Sequence, residues 1–578
     1  MGKGATGAVG ALALAVASAA IFLFTLFLMD RGVELTDEGY YFNSASTPEL
    51  YIYNVTLFGR MLHPLLLAVD HNITLFRAIN LIAMVACQLA IVLQIFRLLG
   101  DRLPLGRIEK WGIGGAFTVS ALLFYCIWLP TPNYNSLNVV GASLFASAAI
   151  GWQRDRNLPA QLGDIVVAGV GLAICALVKA TTGALMIPLV MLAGFISLRR
   201  GIMFTAGVGL VSALAFAGYL LVAVGPPDAI LKNYAGNISI TGEVLGWSLA
   251  SVEHYLWRSL PFIAEMVLIG VVVCLSPVLY LAMIGQPRNL VARIGIQVLV
   301  FAAITAVCVW VQLHPNTWNR APNWTAGLAA LCMLACHALR RRDAVDGAMA
   351  SLAIVLLLIP FAVGFGSNTG MTRSAGQAGA IWTAGSMLTV AILMRGEILR
   401  AAVWRLGILA VLSTAVVIGW ATHFPQRQSA PLLTQNTPVG VRDGRHTLRV
   451  DEPSAAYFNS LTSAARQAGF TLGTPVVDFT GTSPGTIYMM GGEALGWAYI
   501  SGGYPGSQKL LEQALANSAP ADVQRAWLLV ADKGTSPDAL KAHGRVFPDD
   551  YELVARAQPS TGYPEQTLWR PRPKAAGN

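Results

Sequence analysis

Charge is what this sequence has least of. Only 12% of its 578 residues are Asp, Glu, Lys or Arg, about half the share usual in a soluble domain. That scarcity excludes a chain that is soluble throughout. Cysteine is also sparse. The seven cysteines, from Cys87 to Cys336, all lie in apolar stretches, so the C-terminal region has no disulfide framework. No C-x-x-C pair with metal spacing occurs, and Cys332 with Cys336 reads as two small residues on one helix face. There is no H-x-x-x-H, no dinucleotide-binding glycine fingerprint and no Walker-type loop.

Hydrophobic residues fill the space that charge leaves. They make up 55% of the chain, and the mean hydropathy is +0.57. Apolar runs of about 18 residues or more read as membrane spans. Such runs fall near residues 8–29, 75–98, 112–129, 137–152, 164–178, 184–198, 202–224, 261–284, 294–313, 324–339, 348–365, 378–394 and 401–421, about 13 in all. The first is too long for a secretory signal core and lacks a clean cleavage site, so it is expected to stay. After Trp420 the texture turns to mixed polar sequence. The expected architecture is mainly α: a polytopic membrane domain over residues 1–421 and a soluble α/β domain over 422–578.

The net charge of +9 does not indicate nucleic acid, because of where the cations lie. One set of alternate loops holds Lys3; Arg102, Arg107 and Lys110; Arg154 and Arg156; Arg199 and Arg200; Arg288 and Arg293; Arg340 to Arg342; and Arg395, Arg400 and Arg405. The other set holds isolated cations: Arg31, Arg60, Arg258, Arg320 and Arg373. The positive-inside rule predicts a cytoplasmic N-terminus and a C-terminal domain on the periplasmic or extracellular face of an inner membrane.

Unusual residues gather on that outer face. The first outer region, residues 30–74, contains Asp37-Glu38-Gly39-Tyr40-Tyr41 and later His63-Pro64-Leu65; its stretch 47–58 could lie flat as an amphipathic helix. A second, residues 225–260, carries Lys232, Glu243, His254 and Arg258. Shorter turns hold Pro130 to Asn135, His314 to Arg320, and Ser367 to Arg373. An adjacent acid pair just outside a span is a candidate general base or cation ligand; the plainer reading is a solvated pair facing Arg31. Lys179 ends a span on the outer side, against the charge bias; it either snorkels to the interface or meets an anion. Arg258, Arg320 and Arg373 share that position and would form a phosphate clamp if they converge. His63, His254 and His314 lack ligand spacing and read as hydrogen-bonded histidines, not a metal site.

The order of these features resembles the GT-C glycosyltransferases, in the branch of protein O-mannosyltransferases and lipid A aminoarabinose transferases. The marks are Asp-Glu with a nearby aromatic after the first span, His-Pro before the second, a proline-marked second outer turn, and a lysine closing a span, all within residues 30–183. The resemblance implies a sugar donor carried on polyprenyl phosphate, transfer on the outer face with inversion, and Asp37 as catalytic acid–base with Glu38 in the same motif. On the residues themselves, Lys179, Arg373, Arg320, Arg258, His63, Tyr40 and Asn133 are the expected substrate contacts, and the expected acceptor is a lipid, glycan or protein. Two departures stand out. The family's His-Pro-Pro is His63-Pro64-Leu65 here, and the acid of its second outer turn is replaced by Asn133 and Asn135. The second argues against a required metal, and no cofactor is expected. A transporter or flippase of lipid-linked sugars is the alternative; such proteins often show paired half repeats, and none is evident.

In the C-terminal region, helices are expected at 454–469 and 507–517, and strands at 475–479, 526–531, 551–555 and 567–570. Glycine-rich turns at 490–492 and 501–506 could line an acceptor site. No catalytic constellation is evident there, and the expected role is acceptor binding or a structural cap.

Overall fold

A computed structural model describes residues 3–51, 56–245, 321–340, 346–367, 371–560 and 562–573. The expected spans at 261–284 and 294–313 lie outside the described residues, as do His254, Arg258, His314 and Arg320. Seven described helical segments are long and apolar enough to cross a membrane. They contain α1 (Lys3–Phe27), α4 (Ile73–Leu99), α7 (Leu158–Val178), α9 (Leu198–Ala223), α12 (Gly347–Gly364), α14 (Gly379–Leu393) and α15 (Gly396–His423). Between them run α2 (Asp37–Ser46), α3 (Phe58–Ala68), α5 (Arg107–Val119), α6 (Tyr134–Trp152), α8 (Ala180–Gly194), α10 (Pro227–Leu245), α11 (Ala321–Arg340) and α13 (Met371–Ala375).

Several expected spans are shorter or broken. The run at 112–129 is α5 followed by a 3-10 segment, Ser120–Cys126. The one at 184–198 begins earlier, because the backbone breaks at Lys179 (φ −157°, ψ 91°) and restarts as α8. The expected flat helix at 47–58 shows only a 3-10 turn, Pro48–Leu50, in its described part; α2 and α3 on either side supply the short non-spanning helices instead.

Apolar faces hold the bundle together, and small residues let backbones approach where packing is tightest. A Cβ on Gly112 of α5 would lie 2.2 Å from the Ala11 carbonyl of α1. Ion pairs mark one end of the bundle. Arg400 at the start of α15 meets Glu109 at the start of α5 at 2.6 Å, and Arg156 pairs with Asp164. Of the isolated cations, Arg31 and Arg60 lie at the other end, where α1 stops and α2 begins.

The C-terminal domain sits on that second end. It has a hairpin of β1 (Thr437–Val441) and β2 (His446–Val450) and a five-stranded sheet. The sheet contains β3 (Pro475–Asp478), β4 (Glu493–Ala494), β5 (Trp527–Ala531), β6 (Tyr551–Ala557) and β7 (Gln566–Pro571), in the order β4-β3-β5-β7-β6. β3 runs parallel to β4 and β5; β7 is antiparallel to its neighbours. Every residue of β3 is buried, as suits a parallel strand covered on both faces. The helices are α16 (Glu452–Gln467), α17 (Pro484–Met490), α18 (Ser507–Ala516) and α19 (Pro520–Arg525). The four expected strands and two expected helices lie where the sequence pattern puts them; the β1–β2 hairpin and α17 were not anticipated.

The seam is a shared hydrophobic core. Val33, Leu35 and Phe42 from the first loop and α2 belong to one buried cluster with Val439, Tyr488 and Leu529 of the C-terminal domain. A Cβ on Gly39 would come 2.0 Å from the Gly485 amide nitrogen, so glycine there is what lets α2 lie directly on α17. Gly485 N–H donates to the Leu35 carbonyl at 2.8 Å, and Asn43 Nδ2 donates to the carbonyls of Pro484 and Ala498, both at 3.1 Å.

Candidate active site

The start of α2 exposes backbone N–H groups that a helix cannot satisfy itself. Thr36, the preceding residue, makes no side-chain cap. Glu34 caps instead: its carboxylate accepts from Thr36 N at 2.9 Å and Glu38 N at 3.1 Å. Glu38 reciprocates by accepting from Glu34 N at 2.9 Å. Two acids four residues apart thus lock the turn between α1 and α2, where the positive end of the helix dipole favours carboxylates.

Glu38 is spent on bracing. Its side chain is fully buried and faces Arg77 of α4, also fully buried, at 3.1 Å. Thr131 Oγ1 donates to it at 2.7 Å. Arg77 further donates to the carbonyls of Met29, Arg31 and Gly32 at 3.0–3.3 Å and to Thr131 Oγ1 at 3.1 Å. This one guanidinium ties the first loop, α2 and the turn before α6 together. A buried pair costs desolvation of both ions, and its geometry must supply the compensating bonds; here it does.

Asp37 points the other way. Its side chain is 36% exposed, and its carboxylate accepts from Arg427 Nη1 at 3.0 Å. Arg427 lies on the linker after α15 and adopts a left-handed φ of 50°. It also lies 3.7 Å from Glu34 Oε1 and donates to Thr36 Oγ1. Burial is the largest influence on both acids. It raises Glu34 to about 7, with the Asp37 charge adding to the rise and Thr36 and Arg427 opposing it. Asp37 is raised too, by burial first and by the Glu38 charge, against the pull of Arg427. Two carboxyls thus share one arginine, the more accessible of them, Asp37, beside the fully buried Glu34.

An aromatic wall flanks Asp37. Tyr40 and Tyr41 of α2, Phe58 of α3 and Tyr134 of α6 meet with ring centroids 5.4–6.0 Å apart. Val178 packs in the same cluster, so Lys179 beside it belongs to this end of the bundle. Lys179 is buried and donates to the Val363 carbonyl at 2.8 Å and to Ser367 Oγ at 2.7 Å, two of the three bonds an ammonium can give. From the sheet side, burial raises Tyr499, with the charges of Asp37, Asp478 and Glu34 adding. Asp478, at the end of β3, is itself raised to about 6 by burial.

The structure therefore brings together Asp37 and Tyr40, with Lys179 at the same end of the bundle. His63 of α3 sits under α2, its Nδ1 2.7 Å from the Ala45 carbonyl; since a carbonyl only accepts, that nitrogen carries the proton and Nε2 is the acceptor in the neutral ring. Asn133 is the N-cap of α6. Its Oδ1 accepts from Asn135 N and Ser136 N and its Nδ2 donates to the Thr131 carbonyl, so it shapes the turn that holds Glu38. Arg373 falls in α13, with its side chain outside the described residues. Among the described residues, no group of three or more His, Cys, Asp or Glu side chains could hold a metal ion. Glu34, Arg77 and Arg427 were not singled out from the sequence. Arg77, an ionisable residue within the first turns of an apolar run, had a signal of its own; Arg427, on an ordinary polar linker, had none.

No family model matches the chain, and no curated protein matches it. Among solved structures it is similar to the crystal structure of ArnT from Cupriavidus metallidurans bound to undecaprenyl phosphate, over 96% of this chain and 97% of that one, at 15% identity and a TM-score of 0.45. It is similar as well to the apo state of ArnT from the same organism, over 97% and 98% of the two chains, at 13% identity and a TM-score of 0.34.

Proposed function

We propose that this chain is an integral membrane glycosyltransferase that moves a sugar from a polyprenyl-phosphate donor to an envelope acceptor on the outer face of the inner membrane, with inversion. The observation that carries the reading is Asp37: a partly exposed carboxylate with a raised pKa, oriented by Arg427, at the seam between an apolar helix bundle and a polar domain. The donor class and the inversion come from the sequence resemblance. A seam of this kind suits two substrates of opposite character. A polyprenyl chain needs the apolar bundle, and a sugar acceptor needs the polar side.

The chemistry balances with this chain's own groups. The acceptor hydroxyl attacks the anomeric carbon as its proton passes to Asp37. The bond from that carbon to the phosphate oxygen breaks, and the electron pair leaves on polyprenyl phosphate. Lys179, with Arg373 and the outer arginines Arg320 and Arg258, is assigned to the charge that develops there. Tyr40 and the aromatic wall offer apolar faces to the sugar ring. Glu34 and Glu38 fix the helix start that aims Asp37, and His63 and Asn133 position the helices around it.

Purified full-length protein, incubated with a radiolabelled polyprenyl-phosphate sugar and envelope lipids or glycans, is expected to yield labelled acceptor and free polyprenyl phosphate. Export of intact donor across a vesicle, with no product, would replace this reading with a transporter.

A further inference from the structure

A cavity of about 230 Å³ opens elsewhere on the seam, away from Asp37. The turn between α3 and α4 supplies Asp70 and His71; the β1–β2 hairpin supplies Arg442, Asp443, Arg445 and His446. Glu34, Asp37, Lys179 and Arg427 take no part in its lining. Asp70, His71 and Arg442 all have left-handed φ angles of 50–57°. Such conformations are uncommon outside glycine and persist where the surroundings fix them.

The polar groups of this cavity are unevenly satisfied. Arg445 engages Asp70 at 2.6 Å and also pairs with Asp443, so both carboxylates are already met by a cation. The donors are not all met. Arg442 lies over the Tyr488 ring at 5.2 Å, and its Nη1 is buried without a hydrogen-bond partner. His446 Nε2 is likewise buried without a hydrogen bond, 3.6 Å from Asp70 Oδ2. A guanidinium N–H kept from water and given no acceptor is costly. What the cavity lacks is an anion with several oxygens, which is the geometry an arginine fork reads. Two arginines against two aspartates leave the formal charge balanced, so the lining has no surplus of cations for a polyanion and the anion is held through the unmet Arg442 donor. His71 adds no charge, since burial and Arg442 hold it down to about 4. Exposed Leu67 and Leu472 line the cavity, and exposed Leu75 lies in the first turn of the membrane-crossing helix α4.

We propose that this cavity binds the phosphate of a membrane phospholipid headgroup, with Arg442 as its principal ligand. The apolar rim receives the start of the acyl chains, and the phosphate accepts from Arg442 and from His446 when its Nε2 carries the ring proton. The site touches the candidate active site indirectly. His71 Nδ1 lies 3.1 Å from the Tyr488 hydroxyl, and Tyr488 stacks on Phe42 of α2 at 4.8 Å. A bound headgroup therefore steadies the ring on which α2 rests.

The test is hydrogen exchange in residues 437–450 of the full chain, reconstituted into vesicles of phosphatidylglycerol or of a phosphate-free galactolipid, and in alkyl maltoside with or without inorganic phosphate. Exchange is expected to slow several-fold in phosphatidylglycerol relative to galactolipid. Arg442→Asn, which tolerates the left-handed backbone, should abolish the difference, and Arg442→Lys should restore part of it. Asp37→Asn should leave it intact, so failure here is separable from failure of the transferase reading. Equal exchange in the two lipids, or full protection retained in Arg442→Asn, overturns the proposal. Full protection by inorganic phosphate alone, with no gain from lipid, overturns the headgroup assignment. If Arg442→Asn does not fold, the comparison of the two lipids in the unmodified chain still decides.

Discussion

Asp37 and Glu38 are adjacent acids on one helix turn, and the fold treats them as opposites. About 100° of rotation separates neighbouring helical side chains. That rotation turns Glu38 into the protein, where Arg77 and Thr131 bind it and no part of its side chain is exposed. It turns Asp37 toward the seam, 36% exposed, with Arg427 as its cation. Each acid has one arginine, yet the two pairs do different jobs. The Glu38–Arg77 pair is closed to solvent and holds three backbone segments; the Asp37–Arg427 pair is open, and its arginine comes from another domain. Accessibility separates a carboxylate that a substrate can reach from one that builds the support.

The comparison breaks most sharply on rate. Asp37→Asn keeps the shape of the side chain and its contact with Arg427 but cannot accept a proton. Single-turnover transfer should fall by about 10²–10⁴-fold, in a chain that still folds. A variant that kept more than about a tenth of the unmodified rate would deny Asp37 the role of base. Glu38 should show the reverse pattern. Glu38→Ala leaves Arg77 buried without its carboxylate, and breaking a buried pair from one side costs about 3–5 kcal/mol. The expected result is a large drop in unfolding temperature, partly recovered in the double variant Glu38→Ala/Arg77→Met. If Glu38→Ala were as stable as the unmodified chain but inactive, Glu38 would be a reacting group and the division drawn here would fail.

Lys179 offers a smaller, sharper contrast, because it is buried like Glu38 but assigned to a substrate like Asp37. Lys179→Met keeps the apolar stem and removes the charge. One lost charge-assisted hydrogen bond to phosphate is worth about 1.5–3 kcal/mol, or about 10–150-fold in donor KM. A change confined to stability, with donor KM untouched, would class Lys179 with the bracing residues through its bonds to Val363 and Ser367.

Periodicity and charge carry much of this molecule. Long apolar runs give the spanning helices, and short runs bounded by turn residues give β3, β5, β6 and β7. The Asp37-Glu38 dipeptide was visible as an acidic pair beside a span. Which member faces the seam was not, because that depends on where α2 starts, and the start is set by Glu34 through bonds to the Thr36 and Glu38 amides. Arg427 was out of reach for a different reason. It is 390 residues from Asp37 along the chain, and only the docking of the C-terminal domain on α2 brings the two together. Asn133 illustrates the converse: a polar residue on an outer turn looks like a ligand, whereas its side chain closes an N-cap.

Per unit of pH, Glu34 gives the smallest expected effect, and it joins both halves of the comparison, since it braces the helix like Glu38 and feels the charge of Asp37. Its carboxyl stands at about 7 in the folded chain, against 4.5 as the ordinary value. Between those two pH values the folded chain holds a proton there that the unfolded chain has lost. Stability from this group is therefore present below about 4.5 and lost as pH rises to about 7, with a slope of at most about 1.4 kcal/mol per pH unit for one proton. Glu34→Gln cannot titrate. The difference in stability, unmodified minus Glu34→Gln, should fall across that window and be flat above it; altered hydrogen bonds to Thr36 and Glu38 add only a pH-independent offset. The same difference measured in an Asp37→Asn background tests the link to the open pair. Asp37 is the charge that pushes Glu34 up, second only to burial, so its removal should shift the window to lower pH. A window that stays in place would mean that Glu34 does not sense Asp37, and that the two carboxyls do not share Arg427 as one titrating unit.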